Sequence, residues 1–302
     1  MKVIILGLGS IGKAHLKSFF LTKLKYEIFL YDKKKINLQF LKNCKKKNIK
    51  LKILKKFPYD MKFDLCIVST NSLERYLVIK KMIKQNKIKH LIIEKFIFTK
   101  EDHFRNIKKV LSNNSSNIFI NVWGSIILNL LNVKTTNLKS KVFFKVDVKE
   151  GGLLTNLIHY LDMFCYLTEK KVDLEVFINK KFNSKRKKYT EIQGEFFCRN
   201  KYGEMIVKSN KKILCDEVNI LIGSKKYQID IAKNKNCYLY KNSKLIKVIK
   251  FPYASLQTSK IFENYLLKGK KEKIYSNFKF IFKLSKKVIE TLHNIDDKIY
   301  IT

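Results

Sequence analysis

The residues best suited to chemistry begin almost at the start of the chain. Gly7-Leu8-Gly9-Ser10-Ile11-Gly12 follows the short apolar run at residues 2–6 and opens a segment with Ile11, Ala14, His15, Phe19 and Phe20 at near-helical spacing. Glycines at these three positions suit an anion. Gly7 permits a tight turn, Gly9 lets backbone approach a pyrophosphate, and Gly12 lets the helix pack close to the strand. The helix start at Ser10 and Ile11 then presents amides and a partial positive charge to phosphate. Asp32 lies 20 residues beyond Gly12, at the end of the next apolar run. There it can accept hydrogen bonds from ribose hydroxyls, and its charge disfavours a 2′-phosphate. Lys33, Lys34 and Lys35 follow at once and could attract that phosphate instead. The cofactor expected is NAD, with NADP as the alternative.

A second set of polar residues lies far down the chain. His159 sits in an otherwise apolar stretch, with Asn156 three before it, Thr155 four before it and Asp162 three after it. On a helix these spacings place the four near one another on one face, while Leu157, Leu161 and Phe164 turn into the core. From the residues alone, His159 reads first as a structural, hydrogen-bonded histidine. Asp162 is a candidate to bind substrate hydroxyls or to hold His159, against a plain helix-surface acid. Glu94-Lys95 ends another strand-like run, on the edge where parallel sheets bind ligands. Lys95 could bind a reacting oxygen or move a proton, with a pKa lowered by burial; the alternative is one more solvated lysine. Ser69, Thr70 and Asn71 end a further run and either cap the next helix or line the cofactor groove.

The elements that must position these residues alternate. Apolar strand patterns at 2–6, 26–32, 63–70, 90–95 and 117–122 are interleaved with helical patterns after Gly9, at 73–85 and at about 100–113, which implies a parallel sheet with helices on both faces. After about residue 123 the rhythm changes. One strong helix is expected over about 154–167, followed by strand-like runs at 172–179, 189–199, 204–209, 214–222, 226–232 and 236–249, then a closing helix near 277–292. The fold class is therefore α/β: an N-terminal Rossmann parallel sheet at 1–122, and at 123–302 an α/β domain with an open, mostly antiparallel sheet.

Several of these segments together resemble the Gfo/Idh/MocA oxidoreductases, named for glucose–fructose oxidoreductase and inositol dehydrogenase. Residues 7–16 (GLGSIGKAHL) resemble the family's opening, and Asp64 to Asn71 (DLCIVSTN) the strand and turn beneath the cofactor. Ile93-Glu94-Lys95 resembles its Glu-Lys-Pro motif, and Gly151 to Asp162 its Gly-Gly…His-x-x-Asp catalytic helix. The resemblance implies a substrate domain after the Rossmann domain, an active site between the two, and hydride transfer between a nicotinamide and a sugar, cyclitol or sugar-nucleotide carbon. It implies Lys95 and His159 as acid–base groups, substrate contacts from Thr155, Asn156 and Asp162, and cofactor contacts from Gly7 to Gly12, Asp32, Ser69 to Asn71, Glu94 and Lys95. It also implies a homo-dimer or homo-tetramer. The chain departs from the pattern where Phe96 replaces the proline, where Thr155 stands in place of an aspartate, and where Val122-Trp123 follows Asn121 instead of a basic residue. A non-catalytic relative that keeps the nucleotide fold as a sensor or scaffold is the rival reading.

Composition bounds the remaining classes. Lys and Arg total 64 and the formal net charge is +39, but only Arg75, Arg105, Arg186 and Arg199 are arginines. Surfaces that read nucleic acid favour the arginine fork, and lysine spread along the whole chain beside abundant Ile and Asn fits A-T-rich coding; no nucleic-acid partner is expected. Cys44, Cys66, Cys165, Cys198, Cys215 and Cys237 show neither CxxC spacing nor His clustering, so buried thiols in a reducing, cytoplasmic setting are expected, with no metal. No apolar run reaches the length of a membrane span, and no membrane partner is expected.

Overall fold

The computed structural model describes residues 1–37, 39, 46–112, 116–134, 141–184, 186, 188–251, 258–260, 262–264 and 276–301; the expectation for Cys44 lies outside them. The chain divides into two units, Met1–Asn121 with Tyr253–Phe278, and Val122–Pro252 with Lys279–Thr302.

The first unit is built on β1 (Lys2–Leu6), in which Val3, Ile4, Ile5 and Leu6 are fully buried. A strand apolar on both faces needs a neighbour on each side and cover above and below. α1 (Ser10–Phe19), β2 (Tyr26–Tyr31), β3 (Ile49–Ile53), β4 (Lys62–Val68), α2 (Ser72–Gln85), β5 (Lys87–Glu94), α3 (Glu101–Ser112) and β6 (Asn117–Asn121) follow in sequence. Across the sheet the order is β6–β5–β4–β1–β2–β3, with every neighbouring pair parallel; a two-residue strand, β15 (Ser276–Asn277), adds antiparallel to β6. This is the doubly wound order whose switch point lies between β1 and β4. Register levels the carboxyl ends. Leu6 pairs with Val68, Val68 with Ile93, and Glu94 with Asn121, so the glycine turn, Ser69, Glu94 and Asn121 form one row. β3 has only half-buried and exposed residues and lacks the long apolar run that marks the central strands; it was not legible in the sequence.

The second unit opens with α4 (Gly124–Leu131) and β7 (Val142–Lys149), which the sequence reading did not separate from its surroundings. α5 (Leu153–Leu167) follows, then β8 (Asp173–Asn183), β9 (Thr190–Asn200), β10 (Gly203–Asn210), β11 (Asp216–Ile222), β12 (Lys225–Lys233), β13 (Asn236–Lys241) and β14 (Lys244–Lys250). The sheet order is β14–β13–β12–β11–β7–β10–β9–β8, with β7–β10 parallel and the other pairs antiparallel. The run expected at 236–249 is two strands. Asn242 and Ser243 adopt φ of 48° and 65° between Lys241 and Lys244, a two-residue turn of the kind that closes twisted hairpins. α5 packs against β7, β9, β10 and α4. The closing helix α6 (Phe278–His293) buries Ile281, Leu284, Val288 and Leu292, the positions its spacing marks.

The glycine turn sets how close α1 can lie to β1. Gly7 has φ +90°, and a Cβ on Gly12 would stand 1.9 Å from the Gly7 carbonyl oxygen. Ser69 Oγ donates to that same carbonyl at 2.7 Å. A Cβ on Gly9 meets nothing within 4 Å. Gly12→Ala should therefore lose about 1–3 kcal/mol in urea unfolding through forced displacement of α1, despite alanine's better helix propensity. Gly9→Ala should stay within about 0.5 kcal/mol of the parent. Equal stability of the two variants would contradict this packing.

Candidate functional site

The row of strand ends in the first unit carries most of the residues singled out in its sequence. Gly9 is the N-cap of α1, with extended backbone and no side chain of its own to satisfy the first-turn amides. Asp32, just beyond β2, is held against this turn. Its Oδ2 accepts from the Leu8 amide at 2.6 Å and its Oδ1 from the Lys34 amide at 2.8 Å. Lys33 reaches Glu74 on α2 at 3.1 Å, so its charge is partly matched by a carboxylate. Asn71 caps α2 by accepting from the Glu74 amide at 3.0 Å, the capping alternative of the sequence reading. Ser69 ties β4 to the glycine turn. The Thr70 hydroxyl and the Asn121 Oδ1 are buried without a hydrogen-bond partner among the described residues. Open space at Gly9, a carboxylate held beside the turn, and two orphaned polar atoms on the carboxyl edge fit a dinucleotide.

Glu94 is turned inward. Its Oε1 meets His15 Nε2 at 2.7 Å and accepts from Asn121 Nδ2 at 2.6 Å, while His15 Nδ1 meets Thr258 Oγ1 at 2.6 Å. Burial by itself raises a carboxyl pKa, but here the His15 and Asn121 hydrogen bonds and the nearby charge of Arg75 outweigh it and hold Glu94 below its ordinary value. Lys95 follows, half-buried just past β5. Arg75 on α2 is 3% exposed. One of its terminal nitrogens donates to the carbonyls of Glu94 at 2.7 Å, Phe96, and Ile97 at 3.3 Å; the other donates to Thr70 O at 2.6 Å.

In the second unit, α5 is buried on nearly every side. Its polar residues divide between two neighbours instead of sharing one open face. His159 stacks on Trp123 at 4.1 Å between ring centroids, and its Nδ1 accepts from the Trp123 amide at 3.2 Å. Asp162 accepts from the Ser125 amide at 2.7 Å. The pair thus satisfies amides at the start of α4, which has no side-chain cap of its own. Gly124 is required there, because its Cβ would lie 2.0 Å from the His159 carbonyl oxygen. Thr155 donates to Glu191 Oε2 at 3.0 Å, and Asn156 donates to Asp216 Oδ2 at 3.0 Å, which Tyr160 also reaches. Glu191 Oε1 also accepts from the Leu154 amide at 2.5 Å, placing a carboxylate at the N-terminus of α5. Burial raises the pKa of both Glu191 and Asp216 against the hydrogen bonds that lower it.

Sequence reasoning missed Arg75, Trp123, Glu191 and Asp216 as parts of these networks. None lies at a diagnostic spacing from its partner: Glu191 and Asp216 are 36 and 60 residues from Thr155 and Asn156. His15 lies within the opening motif and was visible only as part of it. The thiols of Cys66, Cys165, Cys198 and Cys237 are buried, and Cys215 is half-buried; burial pushes the first three well up from the ordinary thiol value. No helix among the described residues is long and apolar enough to cross a membrane.

The raised pKa of Glu191 has a sign that can be tested. The folded protein binds this proton more readily than the unfolded chain, so the carboxyl's contribution to stability falls as pH rises from the ordinary glutamate value through the raised one. Glu191→Gln cannot titrate. Its stability relative to the parent, from urea midpoints at about pH 4 and about pH 7, should improve at the higher pH; a gap that widens against the variant would contradict the assignment.

No protein-family model matches the sequence, and no curated protein matches it. Solved structures do. Biliverdin reductase from Synechocystis sp., in complex with biliverdin and NADP+, aligns with a TM-score of 0.63 at 10% identity, covering 99% of this chain and 98% of that one. UDP-N-acetylglucosamine 3-dehydrogenase GnnA from Acidithiobacillus ferrooxidans aligns at 0.66 and 10% identity, covering 99% and 97%. GenD2 from gentamicin A biosynthesis, in complex with NAD, aligns at 0.66 and 11% identity, covering 97% and 92%. Over nearly its whole length, the chain has the two-sheet α/β fold of Gfo/Idh/MocA-type oxidoreductases.

Proposed function

We propose that the protein is an NAD(P)-dependent oxidoreductase acting on a sugar, cyclitol or sugar-nucleotide carbon, with the cofactor held by the first unit and the substrate by the second. The observation that carries this reading is the carboxyl edge of the parallel sheet, where Gly9 leaves open space, Asp32 is fixed beside the turn, and the Thr70 hydroxyl and Asn121 Oδ1 have no hydrogen-bond partner among the described residues. The bound NADP+ and NAD of two structural neighbours, and the sugar-nucleotide substrate named for a third, support it.

In this reading Gly7 to Gly12 hold the pyrophosphate at the α1 N-terminus and Asp32 takes the ribose hydroxyls. The Lys33–Glu74 pair weakens the case for a 2′-phosphate and favours NAD over NADP. The nicotinamide, when bound, gives or accepts the hydride. The chain's own residues handle the accompanying proton, and Lys95 and His159 are the groups proposed for it. Thr155, Asn156 and Asp162 are each engaged with a protein group, so we assign them to holding the α5 surface around His159 more than to direct substrate contact. A cytoplasmic location and assembly into a homo-dimer or homo-tetramer belong to the same reading; Phe143 and Phe177 on the second sheet are 43% and 59% exposed.

One observation favours the rival, a nucleotide-binding sensor without turnover. His159 is 2% exposed and its Nδ1 already serves the Trp123 amide. The two readings separate by experiment. NADH titration of the parent and Gly9→Val should show binding that the bulky side chain abolishes. Turnover in a screen of sugars, cyclitols and sugar nucleotides should fall about 10²–10⁴-fold in both Lys95→Ala and His159→Ala while NADH affinity is kept. NADH binding with no turnover on any substrate of that screen would decide for the sensor, and unimpaired binding by Gly9→Val would overturn both.

A further inference from the structure

Arg75 is the one buried arginine of the four; Arg105 and Arg199 have side chains 67% and 55% exposed, and Arg186 is exposed. Burying a guanidinium costs several kcal/mol unless its donors are met. Here its two terminal nitrogens are met by carbonyls, three of them in one short segment. Glu94 O, Phe96 O and Ile97 O come from the chain just after β5, on both sides of Lys95, and Thr70 O comes from the loop between β4 and α2. Two loops on the carboxyl edge of the sheet are thereby clamped to one planar cation. The Glu94 carboxyl lies close enough for the Arg75 charge to help hold its pKa below the ordinary value. In a chain whose basic residues are almost all lysine, arginine stands where one nitrogen meets the carbonyls after β5 and a second, fixed in the same plane, reaches Thr70 O on the other loop.

The residue after Lys95 leaves this segment otherwise underdetermined. A proline there would fix its own φ near −65°; Phe96 does not, and its side chain is instead fully buried in the core. Packing anchors the ring of Phe96, but the direction of the Lys95 side chain depends on the peptide planes at 94–95 and 95–96. Arg75 holds the carbonyl of the first and, at Phe96, the carbonyl that follows directly on the second.

We propose that Arg75 is the positioning residue for Lys95, fixing the backbone that aims its ammonium at the cofactor; this rests on the reading of Lys95 as an acid–base group at a dinucleotide site. Arg75→Met keeps the apolar stem and removes every donor. Arg75→Lys restores a cation that can serve part of the carbonyl set.

The test measures acylation of Lys95 by isotope-labelled acetic anhydride, quantified by mass spectrometry in the full-length protein with and without NADH. The parent should show about tenfold protection of Lys95 by NADH, and Arg75→Met about twofold or less, at an NADH Kd within about threefold of the parent's. Arg75→Lys should fall between them, a partial rescue that a purely structural defect would not produce. A folded Arg75→Met that keeps the parent's protection overturns the positioning role and leaves the reading of Lys95 intact. Absence of protection in the parent overturns both, because Lys95 then does not face the cofactor. If Arg75→Met does not fold, Arg75→Lys decides on the same scale: protection at least halved supports the proposal, and undiminished protection overturns it.

Discussion

One buried carboxylate, Glu94, joins most of the first unit's working edge. Its oxygen receives His15 from α1 and Asn121 from β6, and its backbone carbonyl receives Arg75 from α2. His15 in turn meets Thr258, so a segment distant in sequence is bound into the same network. A buried charge with its partners removed typically costs about 3–5 kcal/mol, so each partner constrains the others. The helix that opens at the glycine turn and the strand that ends at Lys95 are therefore fixed relative to each other through a single ionised group. Conversely, the hydrogen bonds that keep Glu94 charged exist only when α1, β5 and β6 are in register.

The second unit solves a related problem in a different way. α5 is buried almost all round, so its polar side chains cannot be left to water. They are sorted by destination. Thr155, Asn156 and Tyr160 meet carboxylates from β9 and β11, while His159 and Asp162 meet backbone amides at the start of α4. Glu191 also neutralises part of the positive end of α5. The helix lacks an acid in its first turn, and the sheet supplies one. Gly124 permits this arrangement by letting α4 lie against the His159 backbone.

Much of this protein was legible in the sequence because it is written in local pattern. The three glycines and Asp32 identified a strand–turn–helix, and each glycine has the geometry its position implied: φ +90° at Gly7, open space at Gly9 and close helix packing at Gly12. Continuous apolar runs identified the central strands, and helical spacing identified α5 and α6. What pattern did not show was weakly apolar or split by a short turn. β3 lies on the sheet's rim with little burial, β7 alternates with charged residues, and the hairpin at Asn242–Ser243 looks from its sequence like the middle of one strand.

The sequence by itself determined which residues stand at strand ends and on the buried helix, because hydrophobic periodicity and glycine conformational freedom act over a few residues. Only the tertiary structure decided what those residues touch. That Glu94 turns inward to His15, that Arg75 holds the carbonyls around Lys95, and that Glu191 and Asp216 complete the polar face of α5 all depend on side chains separated by tens of residues. Such contacts are selected by the desolvation cost of buried polar groups, which is set when the elements pack and leaves no periodic trace along the chain.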